Sequence, residues 1–346
     1  MKKQQQIGIK HIANLLGIST STVSRAFRNT HDVSPETQKR VLALANELEF
    51  RPNPNASALA SGSTKTIGVI IPSVQNYYFS TVIRGIQEEA FNQGYNVVLY
   101  ISDDCTDEEK RLLTKISLFS IDGILVALSS DSQNIEHFEN LVSKEFPIVF
   151  FDRVPDTIQA SRVMQDDFQG AYQATEHLIN CGYERIAHIS GPRELKFSQN
   201  RFEGYLQAMS DQGLPVHKDL VIFSKFTRKS GHADTLLLLD RGDRPDAIFA
   251  VNDSKAIGAI LALKEKKLKV GEEIGVIGFT NDPVGEIIEP KLTTIEEPAL
   301  EIGKESARLL IKHISSKNHQ VRDVVLGNRL IKRESTIVKK VFSDEF

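Results

Sequence analysis

At 346 residues the chain is too long for one ordinary domain, and its 40% hydrophobic and 25% charged residues suit a soluble globular protein, not a disordered, fibrous or membrane-spanning one. Cys105 and Cys181 are too few and too widely spaced for a disulfide framework or a four-ligand metal centre, and the histidines show no ligand spacing, so no cofactor is expected. The net charge of −3 divides unevenly, with eight lysines and arginines against four acids in residues 1–62 and 34 against 41 in the remainder, which suits a polyanion partner for the head alone.

The opening MKKQQQIGIKHIAN has no apolar h-region, and the longest apolar runs, such as IGVII and VVLYI, have the length of strands. A cytoplasmic protein without membrane contact is expected.

In chain order, Ile9, Ile12, Ala13 and Leu16 fall at i, i+3, i+4 and i+7, the stripe of an amphipathic helix that Gly17 ends. A second short helix turns Val23, Ala26 and Phe27 inward. Its other face carries Ser21, Arg25 and Arg28, with Thr20 and Ser24 beside them. Ser34-Pro35-Glu36 announces a third helix through a cap residue, a proline at its first position and an acid in its first turn. Its stripe is Val41, Leu44, Ala45 and Leu48. A helix that meets a DNA major groove needs short side chains so that its backbone can approach, hydroxyls for phosphates or base edges, and an arginine for guanine. The second helix has all of these, although an ordinary solvated helical hairpin would tolerate them too.

Residues 53–64 read as a linker with one short helix, in which Asn53 caps, Pro54 follows and Ala56, Leu59 and Ala60 share a face. Such a helix is marginal in water on its own. The domain boundaries expected are therefore 1–52, 53–64 and 65–346.

From Ile67 onward, apolar runs alternate with helical segments. Strands are predicted over 67–72, 96–102, 123–128 and 147–152, and in a second series over 185–191, 220–225, 247–253 and 274–279. Near-continuous apolar strands separated by helices predict two similar α/β lobes, each a doubly wound parallel sheet, with LTTIEEP and DVVLGNRLIKRES crossing back between them. Ligands of such sheets bind beyond the carboxyl ends of the strands. Those ends hold Tyr78 and Phe79, Asp152-Arg153, Arg201, Phe226, Asn252-Asp253 and Thr280-Asn281-Asp282. Aromatic faces beside Asp, Asn and Arg suit a polyhydroxylated ligand. Singly, these residues have plainer readings: Asp253 as a helix cap, Arg201 as the partner of Glu203 or another surface acid.

The run IKHIANLLGISTSTVSRAFRN, continued by VSPETQKRVLALANELEFRPN, resembles the helix-turn-helix of the LacI/GalR family of transcription regulators. The resemblance implies that Thr20, Ser21 and Arg25 read bases, and that Ser19, Thr22, Ser24 and Arg28 bond phosphates. It makes residues 53–64 a hinge helix that folds on DNA as a dimer pair, with Ala56 and Leu59 at the minor groove. For the body it implies a type I periplasmic-binding-protein-like fold whose effector is met by Tyr78, Phe79, Asp152, Arg201, Phe226 and Asn252. The family's usual acid after the VIGF-type strand is replaced by Thr280, with Asn281 following as the candidate contact. Gly8, His11 and Arg28 also depart from the family's common residues.

Three function classes compete. A ligand-controlled repressor uses the whole chain, bound as a homodimer to a pseudo-palindromic operator and answering to a sugar-like effector or, alternatively, a nucleobase or nucleoside. A solute receptor would share the body but has no use for the head. An α/β enzyme lacks support, because no G-x-S-x-G, Walker A, G-x-G-x-x-G or H-E-x-x-H run is present. The tail after Arg333 has no sustained heptads, so a tetramerising coiled coil is not expected.

Overall fold

Turn chemistry and apolar spacing account for the head. In the computed structural model, which describes residues 8–27, 32–50, 62–116, 120–132, 134–155, 157–316 and 320–337, it contains α1 (Ile9–Leu16), α2 (Thr20–Phe27) and α3 (Pro35–Glu47). Gly17 ends α1 with φ 65°, a left-handed conformation that costs glycine little. Ser34 Oγ accepts from the Thr37 amide at 3.2 Å and so caps α3. Ile12, Ala13, Val23, Ala26, Val41 and Ala45 form a small core, and Gln38 Nε2 ties α3 to the Ala26 carbonyl at 3.2 Å.

The chain divides into two compact units, Met1–Lys65 and Thr66–Phe346. The second is built on two six-stranded sheets. The first sheet holds β1 (Thr66–Ile71), β2 (Asn96–Ile101), β3 (Gly123–Val126), β4 (Ile148–Phe151), β5 (Ser161–Gln165) and β11 (Asp323–Leu326), in the order β11-β5-β4-β3-β1-β2, all parallel. The second holds β6 (Ile186–Ser190), β7 (Val221–Phe223), β8 (Ala247–Ala250), β9 (Gly275–Thr280), β10 (Thr293–Glu296) and β12 (Arg329–Ile331), in the order β12-β10-β9-β8-β6-β7. Only β12, beside β10, runs antiparallel.

Both faces of the central strands are covered, which is why β1, β3, β4, β6, β8 and β9 are buried without alternation. In the first lobe Ile67, Val69 and Ile71 pack toward α4 (Tyr77–Asn92) and α12 (Ala299–Ser315), while Ile70 faces Ile124, Val126, Phe138 and Phe150 on the other side. Helices α5 (Thr106–Lys115) and α6 (Glu136–Val142) complete that lobe. The second lobe has α7 (Asp167–Asn180), α8 (Lys196–Asp211), α9 (Arg228–Leu239), α10 (Asp253–Glu265) and the short α11 (Val284–Ile287). Each fully buried aliphatic or aromatic side chain contributes about 1.5–3 kcal/mol relative to exposure. The α4–α12 crossing is close because both helices present glycine: a Cβ on Gly85 would collide with the Leu300 carbonyl, and one on Gly303 with the Val82 carbonyl.

The predicted strands are present, mostly with trimmed ends. Strand β5 was not among them, because its sequence SRVMQ buries only alternate residues and carries Arg162 and Gln165. The two late segments do not simply bridge the lobes. LTTIEEP supplies β10 to the second sheet before the chain passes to α12, and DVVLGNRLIKRES supplies β11 to the first sheet and β12 to the second. The chain thus passes between the lobes at β5–α7, β10–α12 and β11–β12. These passages position the cleft.

Candidate functional site

On the head, Ser19 occupies the N-cap position of α2. Its Oγ accepts from the Thr22 amide at 3.0 Å and lies 2.7 Å from Ser21 Oγ and 2.8 Å from Thr22 Oγ1. The hydroxyl assigned to phosphate contact is thus also the cap that starts the helix. Thr20, Ser21 and Arg25 are exposed on α2, while Thr22 and Ser24 are half-buried beside them. Arg28, Ala56 and Leu59 lie outside the described residues.

In the body, candidate residues from both lobes join one hydrogen-bonded network. Tyr78, near the start of α4, donates to Gln165 Oε1 at 3.1 Å. Gln165 Nε2 reaches Asp152 Oδ1 at 3.1 Å, Glu297 Oε1 at 3.2 Å and Asp167 Oδ1 at 3.5 Å. Arg201 on α8 donates through Nε to Asp167 at 2.7 Å, through Nη2 to Glu297 at 2.6 Å and through Nη1 to the Val251 carbonyl at 2.6 Å. Its guanidinium lies 3.6 Å over the Phe279 ring. Gln165 and Asp167 stand at the first passage between lobes and Glu297 at the second, so the network sits on the hinge. Arg201 is buried and paired with Asp167 and Glu297; the expected partnership with Glu203 or a surface acid is not what forms.

Desolvation sets the protonation of this network. Burial pushes the Asp152 and Glu297 carboxyls above the usual range and Asp167 up to about 7, against the pull of the arginines. For Arg201, burial works downward but Asp167 and Glu297 outweigh it, so its pKa is raised and the cation is firmly held. Burial, reinforced by Asp152 and Glu297, raises the Tyr78 hydroxyl well above its ordinary value and keeps it a neutral donor.

Above this network is a cavity of about 240 Å3 lined from both lobes, by Ser130, Asp152 and Arg153 on one side and Asp167, Phe197 and Asn200 on the other. Phe226 stacks on Phe197 with centroids 5.4 Å apart. Phe79 is buried, with the Arg153 guanidinium 5.8 Å from its ring centroid. Asn252 caps α10: its Oδ1 accepts from the Lys255 amide at 2.9 Å and its Nδ2 donates to the Phe226 carbonyl at 3.1 Å. That displaces the reading of Asp253 as the cap. Asp253 instead accepts from Thr294 Oγ1 at 2.6 Å and from the Asp282 amide at 2.7 Å, bracing β9 and β10. Asn281, with φ 62°, donates from Nδ2 to Glu296 at 3.0 Å and accepts at Oδ1 from Arg333 Nη2 at 2.8 Å, partners outside the Arg201 network.

Gln165, Asp167, Glu297 and Phe197 were not picked out from the sequence as ligand contacts, whereas Arg153 stood beside Asp152 in the strand-end set. The run Gln165-Asp166-Asp167 ahead of a helical stripe and the pair Glu296-Glu297 before Pro298 were the available signals, and both also read as ordinary helix starts.

A family model described as periplasmic binding proteins and sugar binding domain of LacI family matches residues 64–334, and one described as bacterial regulatory proteins, lacI family, matches residues 8–53. The HTH-type transcriptional repressor PurR of Vibrio campbellii is 32% identical over 335 residues, which cover 96% of this chain and 99% of that protein. Among solved structures, a complex of the transcriptional regulator CelR with cellobiose has a TM-score of 0.73 at 29% identity, covering 95% of this chain and 99% of that one. The lac repressor dimer bound to operator and the anti-inducer ONPF has a TM-score of 0.85 at 25% identity, covering 96% and 100%.

Proposed function

The chain belongs to the LacI family of bacterial regulatory proteins, a family of DNA-binding transcription regulators with effector-binding domains, and from that premise we propose that it is a homodimeric cytoplasmic repressor of a pseudo-palindromic operator, controlled by a sugar or sugar derivative. Residues 1–52 read the half-sites, 53–64 form the hinge and 65–346 bind effector and dimerise. Thr20, Ser21 and Arg25 meet bases, Ser19, Thr22, Ser24 and Arg28 meet phosphates, and Ala56 and Leu59 enter the minor groove. Tyr78, Phe79, Asp152, Arg201, Phe226 and Asn252 serve the effector, while Asn281 is held by Glu296 and Arg333.

The observation that carries the reading is the Arg201 network, which joins residues of both lobes at two of their passages beneath a cavity lined by both. A ligand there interacts differently with each lobe arrangement, and only such differential affinity can transmit a signal to DNA. Dimerisation is favoured by the sheet edge at β2, where Val98, Leu99 and Ile101 are each about 40% exposed, and by Phe91, 80% exposed at the end of α4.

The test is fluorescence anisotropy of the full-length protein on a DNA pool selected for binding, repeated with sugars, sugar derivatives and nucleobases. A palindromic consensus whose affinity one sugar shifts supports the reading. A nucleobase in that role selects the alternative effector. Loss of sequence selectivity with ligand binding retained would leave a receptor body without a working head.

A further inference from the structure

Charge at the floor of the cleft does not balance. Asp152, Asp167 and Glu297 share one amide nitrogen, Gln165 Nε2, which has only two protons to give. Among the described residues the cation bonded to this trio is Arg201, which serves Asp167 and Glu297 and spends its remaining donor on a carbonyl. Arg153 is shared between Asp104, 2.5 Å away, and Asp152, while Lys255 is 2.8 Å from Asp234, and Lys196 is exposed at the rim of the cavity. Counting Arg153, which pairs with Asp104 and also attracts Asp152, four carboxylates thus face two guanidiniums. An interior does not tolerate uncompensated charge, so either protons or a positive ligand must supply the balance.

The aromatic walls already accommodate positive charge. The guanidinium of Arg153 lies 5.8 Å from the ring centroids of both Phe79 and Phe197, one ring from each lobe, so these faces already hold a cation. Phe197 also lines the cavity, beside Asp152 and Asp167.

We propose that the effector is a cationic polyol, a sugar derivative bearing an amine, whose ammonium group meets Asp152 and Asp167 at the cavity floor with Glu297 behind them. This rests on the reading of the cleft as the effector site and names the ligand class for it. The ring face lies on Phe197, and hydroxyls meet Ser130 and Asn200. In the free protein burial keeps a proton on the trio, with Asp167 up to about 7, and the bound amine replaces that proton. Glu297 is a specificity residue: it does not line the cavity, yet it adds the charge that makes the floor select a cation.

The test uses matched pairs at pH 7: glucosamine with glucose, galactosamine with galactose and mannosamine with mannose, accompanied by N-acetylglucosamine, cellobiose, ribose and hypoxanthine. Each is titrated calorimetrically into the full-length protein, in two buffers of different ionisation enthalpy, and scored for its effect on operator binding. One amine is expected to bind at least about tenfold more tightly than its hydroxyl twin, as a charge-assisted contact requires, and to release protons. Glu297→Gln and Asp167→Asn, each shown to be folded by thermal melting, should shrink that preference. A neutral compound that binds as well as or better than the amines overturns the cationic inference and leaves the effector site standing. An amine preference unchanged in both variants removes the trio as its cause. Binding by none of the compounds, with operator binding intact, overturns both readings.

Discussion

Arg201 Nη2 and Glu297 Oε1 are 2.6 Å apart although 96 positions separate them in the chain. One lies on α8 of the second lobe, the other where β10 passes toward α12 of the first. The pair is buried, so its Coulomb attraction is offset by the desolvation of both ions, and its worth lies in fixing one geometry at the hinge.

Breaking that pair should be costly. Arg201→Ala leaves Asp167 and Glu297 buried without their cation, and the expected loss is about 3–5 kcal/mol in urea unfolding. Arg201→Lys should recover only part of it, because an ammonium cannot reproduce the fork that serves two acids and a carbonyl at once. Full recovery by lysine would mean that charge alone, and not fork geometry, holds the hinge.

Stability should fall as pH rises through the carboxylate window. Asp167 titrates near its ordinary 3.8 when unfolded but is pushed up to about 7 by burial in the native state, so between these values the native protein holds a proton that the unfolded chain has lost. The stabilisation is complete below about 4 and is lost as pH passes about 7. Urea unfolding of the wild type and Asp167→Asn at a series of pH values checks this: the difference between them should move in the variant's favour as pH rises. A constant difference would place the proton elsewhere.

On DNA, Arg25→Ala should cost about 1–3 kcal/mol at one operator position and relax preference there. Leu59→Ala should weaken specific binding while leaving the salt-dependent nonspecific component nearly unchanged. Anisotropy titrations with operator and scrambled DNA across salt separate the two effects. Equal loss on both DNAs would indicate a folding defect.

The exposed edge at β2 gives a test of assembly. Leu99→Glu puts a charge among Val98, Ile101 and their surroundings without entering either core, and it should shift the protein from dimer to monomer in sedimentation velocity. Operator affinity should fall with it, since two half-sites then bind separately. A variant that stays dimeric would move the interface away from this edge.

Much of this was legible in the residues themselves. Apolar runs without alternation announced parallel sheets, and Ser34-Pro35-Glu36 announced α3, because these signals act within a few positions along the chain. Tyr78, Asp152, Arg201, Phe226 and Asn252 were read as candidates at or after strand ends, where such sheets bind ligands, and the family resemblance gave them their effector role. Strand β5 escaped because Arg162 and Gln165 interrupt its pattern, and the cap that Asp253 offered as its plainer reading is made by its neighbour Asn252.

What the sequence determined by itself was the alternation of elements, the small hydroxyl-rich face of α2 and the set of residues at the strand ends. What only the tertiary structure decided was which acids meet Arg201. Asp167 and Glu297 look like any helix-start carboxylates in a sequence, and Gln165 like a surface amide. Folding removes water from all three, and in that low-dielectric floor a carboxylate's partner and protonation depend on neighbours that are distant in the chain.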